Sequence, residues 1–439
     1  MKMKKKRRIS LLLAAAALVL AFAGCTQSGS SGSTSNPTKV DALESGKKYT
    51  VQFWHELSGS NLDYLNTVIK AFNDTHPNIQ VVATYQGSYD DGYTKLQQAI
   101  ASGSVPDIDM VERAYVQYFA NNNALVDLNP YFKNSKVSTD IFVKGLTGHS
   151  YFDNHLNAIP FNRSTPIMYV NKTLLDSKGL AVPKTWDELK TVTNALVEKN
   201  GDQVTRYGMT MPFDTWYPMA MVMQAGGKFL NDKGSSVGYT DAVGNKVFGF
   251  LKNLQNTNAL YYPPTQGSGT TANQMFTSGK VGILWTSTGS YGGLKKAVNG
   301  AFQIQTAFLP KEQKYATPTG GANIVVPAKS ANKAAAWEFI KWMLTDSKGL
   351  QQFVALSGYL PTTTTMVKSQ QFQDLWKQDA NYKVAYDQLQ YAMDTNKTVV
   401  WPDINKEDEA AIQAIMYNNA SIPDTLTKLR KQIEQSLQQ

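Results

Sequence analysis

Tyr49-Thr-Val-Gln-Phe-Trp54, Ile79-Gln-Val-Val-Ala-Thr-Tyr85 and Ile108-Asp-Met-Val111 are three β-prone runs set apart by segments of helical periodicity. After Trp54 a Gly/Ser/Asn turn leads into Leu62, Leu65, Ile69 and Phe72, which recur on one face of a helix that Pro77 stops. After Tyr85 a second helix carries Leu96, Ala99 and Ile100 on one face, ends near Gly103, and is followed by Pro106 and the third run. Strands alternating with helices form βαβ units around a parallel sheet, which places the chain in the α/β class.

Outward from that stretch the architecture repeats without the sequence repeating. Thr185-Trp-Asp-Glu188 reads as a capping box opening a helix that buries Leu189, Val192 and Leu196. Gly282-Ile-Leu-Trp285 and Asn323-Ile-Val-Val-Pro327 read as apolar strands next to Gly/Ser/Thr-rich turns at 287–290 and 317–321, candidate crossings between two lobes. Ala336, Phe339, Ile340, Met343 and Leu344 mark a long amphipathic helix, and the last hundred residues are mostly helical. The expected division is 47–164 plus about 288–319 for lobe 1, and 165–287 plus about 320–439 for lobe 2.

Toward the amino end, a basic run over residues 1–8 precedes an apolar stretch over 9–23 and a small-residue site at Gly24-Cys25. That is the pattern of a signal peptide over residues 1–24, too short to be a membrane span. Cys25 is the one cysteine in 439 residues, so no intramolecular disulfide can form. Residues 25–46 begin with a Ser/Gly/Thr/Asn-rich run that reads as a flexible tether. The formal charge of +9 is misleading, because six of the 43 Lys+Arg lie in the signal peptide and the remaining 37 face 34 Asp+Glu. Near-balance without a later basic run argues against a nucleic-acid partner.

Catalytic chemistry leaves little trace. The chain has no GxSxG elbow, HExxH helix, P-loop or EF-hand loop. Its four histidines, His55, His76, His149 and His155, lack the spacing of a metal site on one helix face and read as polar surface or hinge residues. No cofactor or metal is expected. A glycosidase needs only two carboxylates, which spacing cannot exclude.

Phe53-Trp-His-Glu56, Tyr85-Gln-Gly-Ser-Tyr89, Pro160-Phe-Asn-Arg-Ser-Thr-Pro166 with Asn171-Lys172, Ser287-Thr-Gly-Ser290, Gly320-Gly-Ala322 and Ser357-Gly-Tyr-Leu-Pro361 follow one another in an order that resembles the extracellular solute-binding proteins of carbohydrate ABC importers. Within that class the nearest likeness is to the glycerol-3-phosphate-binding proteins. The stretch Ala21-Phe-Ala-Gly-Cys25 likewise resembles a lipobox, with Phe22 where that motif usually has Leu.

The resemblance implies a two-lobed periplasmic-binding-protein-like fold, each lobe a mostly parallel sheet flanked by helices, joined by three hinge crossings with the ligand between. It implies a monomer held to the outer membrane face through lipid on Cys25, capturing a carbohydrate, glycerol 3-phosphate or related polyol for membrane permease subunits. Carried over by position, the ligand contacts fall on Tyr89, Glu112, Ser164, Trp216, Ser287, Gly321 and Tyr359. Each suits a polyol: carboxylate and hydroxyls exchange hydrogen bonds, the glycine turn admits close backbone approach, and aromatic rings cover C–H faces. One departure stands out. Where the resembling proteins place a phosphate-binding arginine near the chain end, Val400 stands here. Arg163 and Lys397 are the candidates to replace it, and Trp401 is a candidate platform for a sugar ring. The alternatives are a secreted glycoside hydrolase or an adhesin-like lipoprotein.

Overall fold

The computed structural model describes residues 40–438. The signal peptide, Cys25 and most of the tether lie outside the described residues. In chain order the strands that make up the two main sheets are β1 (Tyr49–His55), β2 (Ile79–Tyr85), β3 (Ile108–Glu112), β4 (Ile159–Pro160), β5 (Pro166–Asn171), β6 (Gln203–Thr210), β7 (Leu260–Tyr261), β8 (Val281–Ser287), β9 (Ile304–Ala307) and β10 (Ala322–Val325). The helices that matter below are α1 (Gly59–Thr75), α2 (Tyr89–Ser102), α3 (Trp186–Ala195), α4 (Trp216–Gln224), α5 (Ser268–Thr277), α6 (Tyr291–Val298), α7 (Lys333–Thr345), α8 (Leu350–Ser357), α9 (Trp401–Met416) and α10 (Ile422–Ser436).

Local sequence explains the boundaries. Along β1 the residues alternate inward and outward, so Val51 and Phe53 are buried while Thr50 and Gln52 face solvent. Helix α1 buries Leu65, Val68, Ile69 and Phe72 at helical spacing and stops at His76, whose ring stacks on Phe72 ahead of Pro77. Helix α2 opens on a full capping box between Ser88 and Asp91 and closes on Gly103 in the left-handed region, at φ +80°. Helix α3 is capped by the Thr185 side chain on the Glu188 amide, as its sequence suggests. The Glu188 carboxylate, however, accepts from the Lys184 amide instead of closing the box on Thr185.

Two sheets result. The first runs β2-β1-β3-β10-β4 and the second β7-β6-β8-β5-β9. Three strands of each are parallel, as the βαβ units require, and the other two pair antiparallel. One core packs Phe53, Phe161, Phe339 and Phe353 on the first sheet. Another packs Met209, Trp285, Tyr217 and Leu251 on the second. This is the two-lobed architecture.

Strand pairing differs from the expected division in one respect. Residues 304–307, expected in lobe 1, form β9 on the edge of the second sheet. Residues 322–325, expected in lobe 2, form β10 between β3 and β4 in the first sheet. The register carries the reason: Ala322 pairs with Glu112 and Val325 with Asp109, completing a sheet that β3 leaves open. An apolar strand is equally at home in either sheet, so its composition does not say which one it joins. The chain therefore passes between the sheets from β4 to β5, from β9 to β10, and again between Trp376, in the first core, and Trp401, in the second.

Candidate functional site

The first two passages lie against each other. The Ser164 amide donates to the Gly320 carbonyl at 3.1 Å, and the Gly320 amide returns a bond to the Ser164 carbonyl at 2.7 Å. Beside this bridge opens a cavity of about 480 Å³, within the usual range for small-molecule sites of roughly 300–1,000 Å³. Its walls bring together Tyr89, Glu112, Ser164, Trp216, Ser287, Gly321, Tyr359 and Trp401, all eight residues singled out from sequence.

Each is placed by its element. Tyr89 is the first residue of α2, and Tyr359 follows the Gly358 turn that ends α8. Asn162, fully buried, holds both rings: its Nδ2 donates to the Tyr89 hydroxyl at 3.2 Å and the Tyr359 hydroxyl at 3.3 Å, while its Oδ1 accepts from the Ala322 amide. Trp216 opens α4 and donates through Nε1 to the Thr319 carbonyl at 3.2 Å. A Cβ on Gly320 would stand 2.3 Å from the Trp216 ring. Only glycine lets that indole lie across the turn. Gly321 sits at φ +81°, where a Cβ would also meet the Asn162 carbonyl at 2.1 Å. Trp401 is 5 % exposed and packs on Phe229, so it is chiefly a core residue showing an edge to the cavity.

Glu112 ends β3 with one oxygen already taken by the Ala114 amide at 2.6 Å. Burial raises its pKa, and the Arg113 guanidinium and the Ala114 amide offset only part of that rise. Arg113 is the one Lys or Arg among the described residues lining the cavity, and its donors are engaged: Nε and Nη2 on the Thr319 carbonyl, Nη1 on the Thr395 hydroxyl and 3.4 Å from Asp394. Against it stand Asp90, Asp214 and Glu409 as well as Glu112. None of those first three joins an ion pair among the described residues. Glu409 is pushed up to about 7 by its own burial and by the charges of Asp90 and Asp214.

Arg163 and Lys397 do not face the cavity. The Arg163 guanidinium is fully buried, bonded to the Gly320 and Leu146 carbonyls, Asn323 and Thr319, and burial brings its pKa down to about 10. Lys397 donates to the Tyr151 carbonyl and sits 4.7 Å above the Phe152 ring. His155 is exposed and meets Asp127 at 3.0 Å, but His55 and His149 are each 1 % exposed, a departure from the surface reading of the histidines. Glu56 does not line the cavity either: it is half-buried against Gly92, and desolvation of its carboxyl, then the neighbouring Asp109, raise its pKa to about 10.

The sequence reading passed over Asp90, Arg113, Asp214, Glu409 and Asn162. Two of these adjoin residues that were named, Asp90 next to Tyr89 and Arg113 next to Glu112. Polar residues beside a named contact were the available signal.

A cleft between two α/β lobes, crossed by paired strands, is the form of a protein that closes on a solute. The family model described as "Bacterial extracellular solute-binding protein" matches residues 67–384. The chain belongs to the bacterial extracellular solute-binding protein family. This solute-binding protein is 24% identical to the maltotriose-binding protein of Pyrococcus abyssi (strain GE5 / Orsay), over 72% of this chain and 67% of that one. It is 26% identical to the sn-glycerol-3-phosphate-binding periplasmic protein UgpB of Yersinia enterocolitica, over 74% of this chain and 77% of that one. Its fold matches that of UgpB from Mycobacterium tuberculosis in complex with glycerophosphocholine, with a TM-score of 0.79 at 23% identity, covering 89% of this chain and 98% of the other. It is the substrate-binding protein of an ABC importer.

Proposed function

We propose that the protein captures a neutral, hydroxyl-rich solute, a carbohydrate, and hands it to membrane permease subunits, working as a monomer anchored to the outer membrane face by lipid on Cys25. The observation that carries the solute class is the charge of the cavity wall: four carboxylates, Asp90, Glu112, Asp214 and Glu409, against one arginine, each of whose three nitrogens already donates a hydrogen bond within the protein. A phosphate dianion placed there loses water and gains no free cation, which is costly. Sugar hydroxyls, by contrast, donate to carboxylates in charge-assisted bonds, and the Trp216, Tyr89 and Tyr359 rings offer apolar faces. Membership of the bacterial extracellular solute-binding protein family supports capture rather than turnover.

A second reading is a glycerophosphodiester, favoured by the likeness to two proteins named UgpB and by the single negative charge that Arg113 would have to meet. A thermal-shift screen of neutral saccharides, glycerol 3-phosphate and glycerophosphodiesters separates the two, since only a bound solute raises the melting temperature. Stabilisation by a neutral saccharide and none by glycerol 3-phosphate is expected. Stabilisation by glycerol 3-phosphate alone would reverse the reading. For the anchor, Cys25→Ala should leave the protein as precursor or release it from the membrane, and membrane retention after leader cleavage would count against the lipid.

A further inference from the structure

Thr319 stands one residue before the Gly320-Gly321 turn, and its carbonyl holds a cavity residue, since the Trp216 indole donates to it at 3.2 Å. The same carbonyl accepts from Arg113 Nε at 3.0 Å and Nη2 at 2.6 Å. Three donors thus converge on an oxygen with two lone pairs, so small changes in its direction decide which of them it serves. What fixes that direction lies away from the cavity. Thr317 and Pro318 pair in parallel with Ala392 and Met393, and the Thr319 amide donates to the Met393 carbonyl at 3.2 Å. This ladder sets Asp394, which does not line the cavity, against the Thr319 side chain.

Asp394 is the anion of a buried cluster. Its Oδ1 accepts from the Thr319 hydroxyl at 2.9 Å and the Thr395 amide at 3.1 Å, and lies 3.4 Å from Arg113 Nη1. Arg163 reaches it through the same hydroxyl, its Nη2 donating to Thr319 Oγ1 at 3.1 Å, and all the direct partners of Arg163 are neutral oxygens. Gly148 makes room for the carboxylate: a Cβ there would stand 1.9 Å from Asp394 Oδ2. Two guanidiniums shut away from water need a counter-charge, and the other carboxylate beside Arg113, that of Glu112, is 3.9 Å off. Arg163 belongs to the first passage between the sheets, Thr319 to the second and Asp394 to the third, so this cluster ties all three behind the cavity wall.

We propose that Asp394 is a positioning residue of the binding cavity: through the Thr319 hydroxyl and Arg113 it aims the Thr319 carbonyl, and that carbonyl sets the Trp216 ring on the wall. This rests on the cavity being the binding site, but its first test needs no ligand. Nitrogen-15 labelling of the eight tryptophans of the purified protein gives an indole N–H signal for each, and Trp216→Phe identifies its own. In Asp394→Asn, which keeps the shape and removes the charge, the Trp216 signal should shift while that of Trp337, whose indole donates to Ser135, stays in place. Thr319→Val deletes the relaying hydroxyl and spares the carbonyl; it should move the same signal, and it decides the matter if Asp394→Asn does not fold. A folded variant with a lower melting temperature and an unmoved Trp216 signal would reduce Asp394 to a stabilising residue and overturn the proposal. Calorimetry with the neutral saccharide found by the thermal-shift screen should show both variants weaker by about tenfold, the loss expected when one aromatic face is misplaced. Because the two residues act in series, Asp394→Asn should add little to the loss already caused by Trp216→Ala. Fully additive losses would overturn the proposal. Failure of every saccharide to bind would sink the carbohydrate reading and leave the indole result standing.

Discussion

Glu112 shows how a buried carboxylate is kept useful. Its Ala114 bond fixes one oxygen, and the other is left toward the cavity 3.9 Å from the Arg113 Nε. Charge-assisted bonds to ligand hydroxyls are worth roughly 1.5–3 kcal/mol each, so Glu112→Ala should weaken binding by about tenfold or more in calorimetry. His55→Ala should cost less, because His55 accepts from the Leu57 amide and does not line the cavity; the reverse order would displace the site. The buried histidines act on stability instead. Burial lowers His149 to about 3 and His55 to about 4, well below the ordinary 6.5. The unfolded chain takes protons there that the folded one refuses. Their stabilisation is thus complete above about pH 6.5 and is lost as the pH falls toward 4, at up to about 1.4 kcal/mol per pH unit for each. Buried carboxylates with raised pKa, Glu56 and Glu409 among them, act in the opposite sense, so the test is a difference: the urea midpoint of the protein relative to His55→Asn, which keeps an acceptor for Leu57, should fall as the pH drops from about 6.5 toward 4. Asp394 adds nothing in this window. Burial would raise it, but Arg113, His149, Arg163 and the Thr319 hydroxyl outweigh burial and hold it at about 2.

Among the elements, the turn at 319–321 carries the most constraint. Gly320→Ala puts a methyl 2.3 Å from the Trp216 ring, so the indole must swing off the cavity wall. Overpacking of that kind costs roughly 1–3 kcal/mol, and binding should weaken by about tenfold with the fold retained. Gly321→Ala meets backbone and a positive φ instead, and should lower the melting temperature more than it lowers affinity per folded molecule. An unchanged Kd in Gly320→Ala would remove Trp216 from the site. The helices and the strands β1 to β3 were legible in sequence, because periodicity and capping are local. The partners of β9 and β10 were not, since a short apolar strand carries no mark of its sheet. The same limit hid Asp90, Asp214 and Glu409: a lone acid on or beside an amphipathic helix reads as a solvated face, and only tertiary packing turns three of them onto one wall. The resemblance supplied seven of the positions on the cavity wall, and the departure at Val400 pointed to Trp401, but neither gave the other acids facing them.

At the scale of the whole molecule, the cavity draws residues from both halves: Tyr89 and Glu112 from the first sheet's elements, Trp216 and Ser287 from the second's. Binding should pull the lobes together about the three passages, and small-angle scattering at saturation should give a smaller radius of gyration than without ligand. An identical profile would speak against a site shared between lobes. The place of β10 carries a different consequence. It lies between β3 and β4, inside the first sheet, yet it comes some 160 residues after β4 in the chain. As the polypeptide leaves the ribosome, the first lobe lacks an interior strand until residue 325 has been made, by which time the second sheet is whole. Such distant pairings form slowly. The amino-terminal half must stay open through most of synthesis, a delay that suits a chain whose first residues read as an export signal, because a polypeptide that has not yet closed its first lobe can still be threaded.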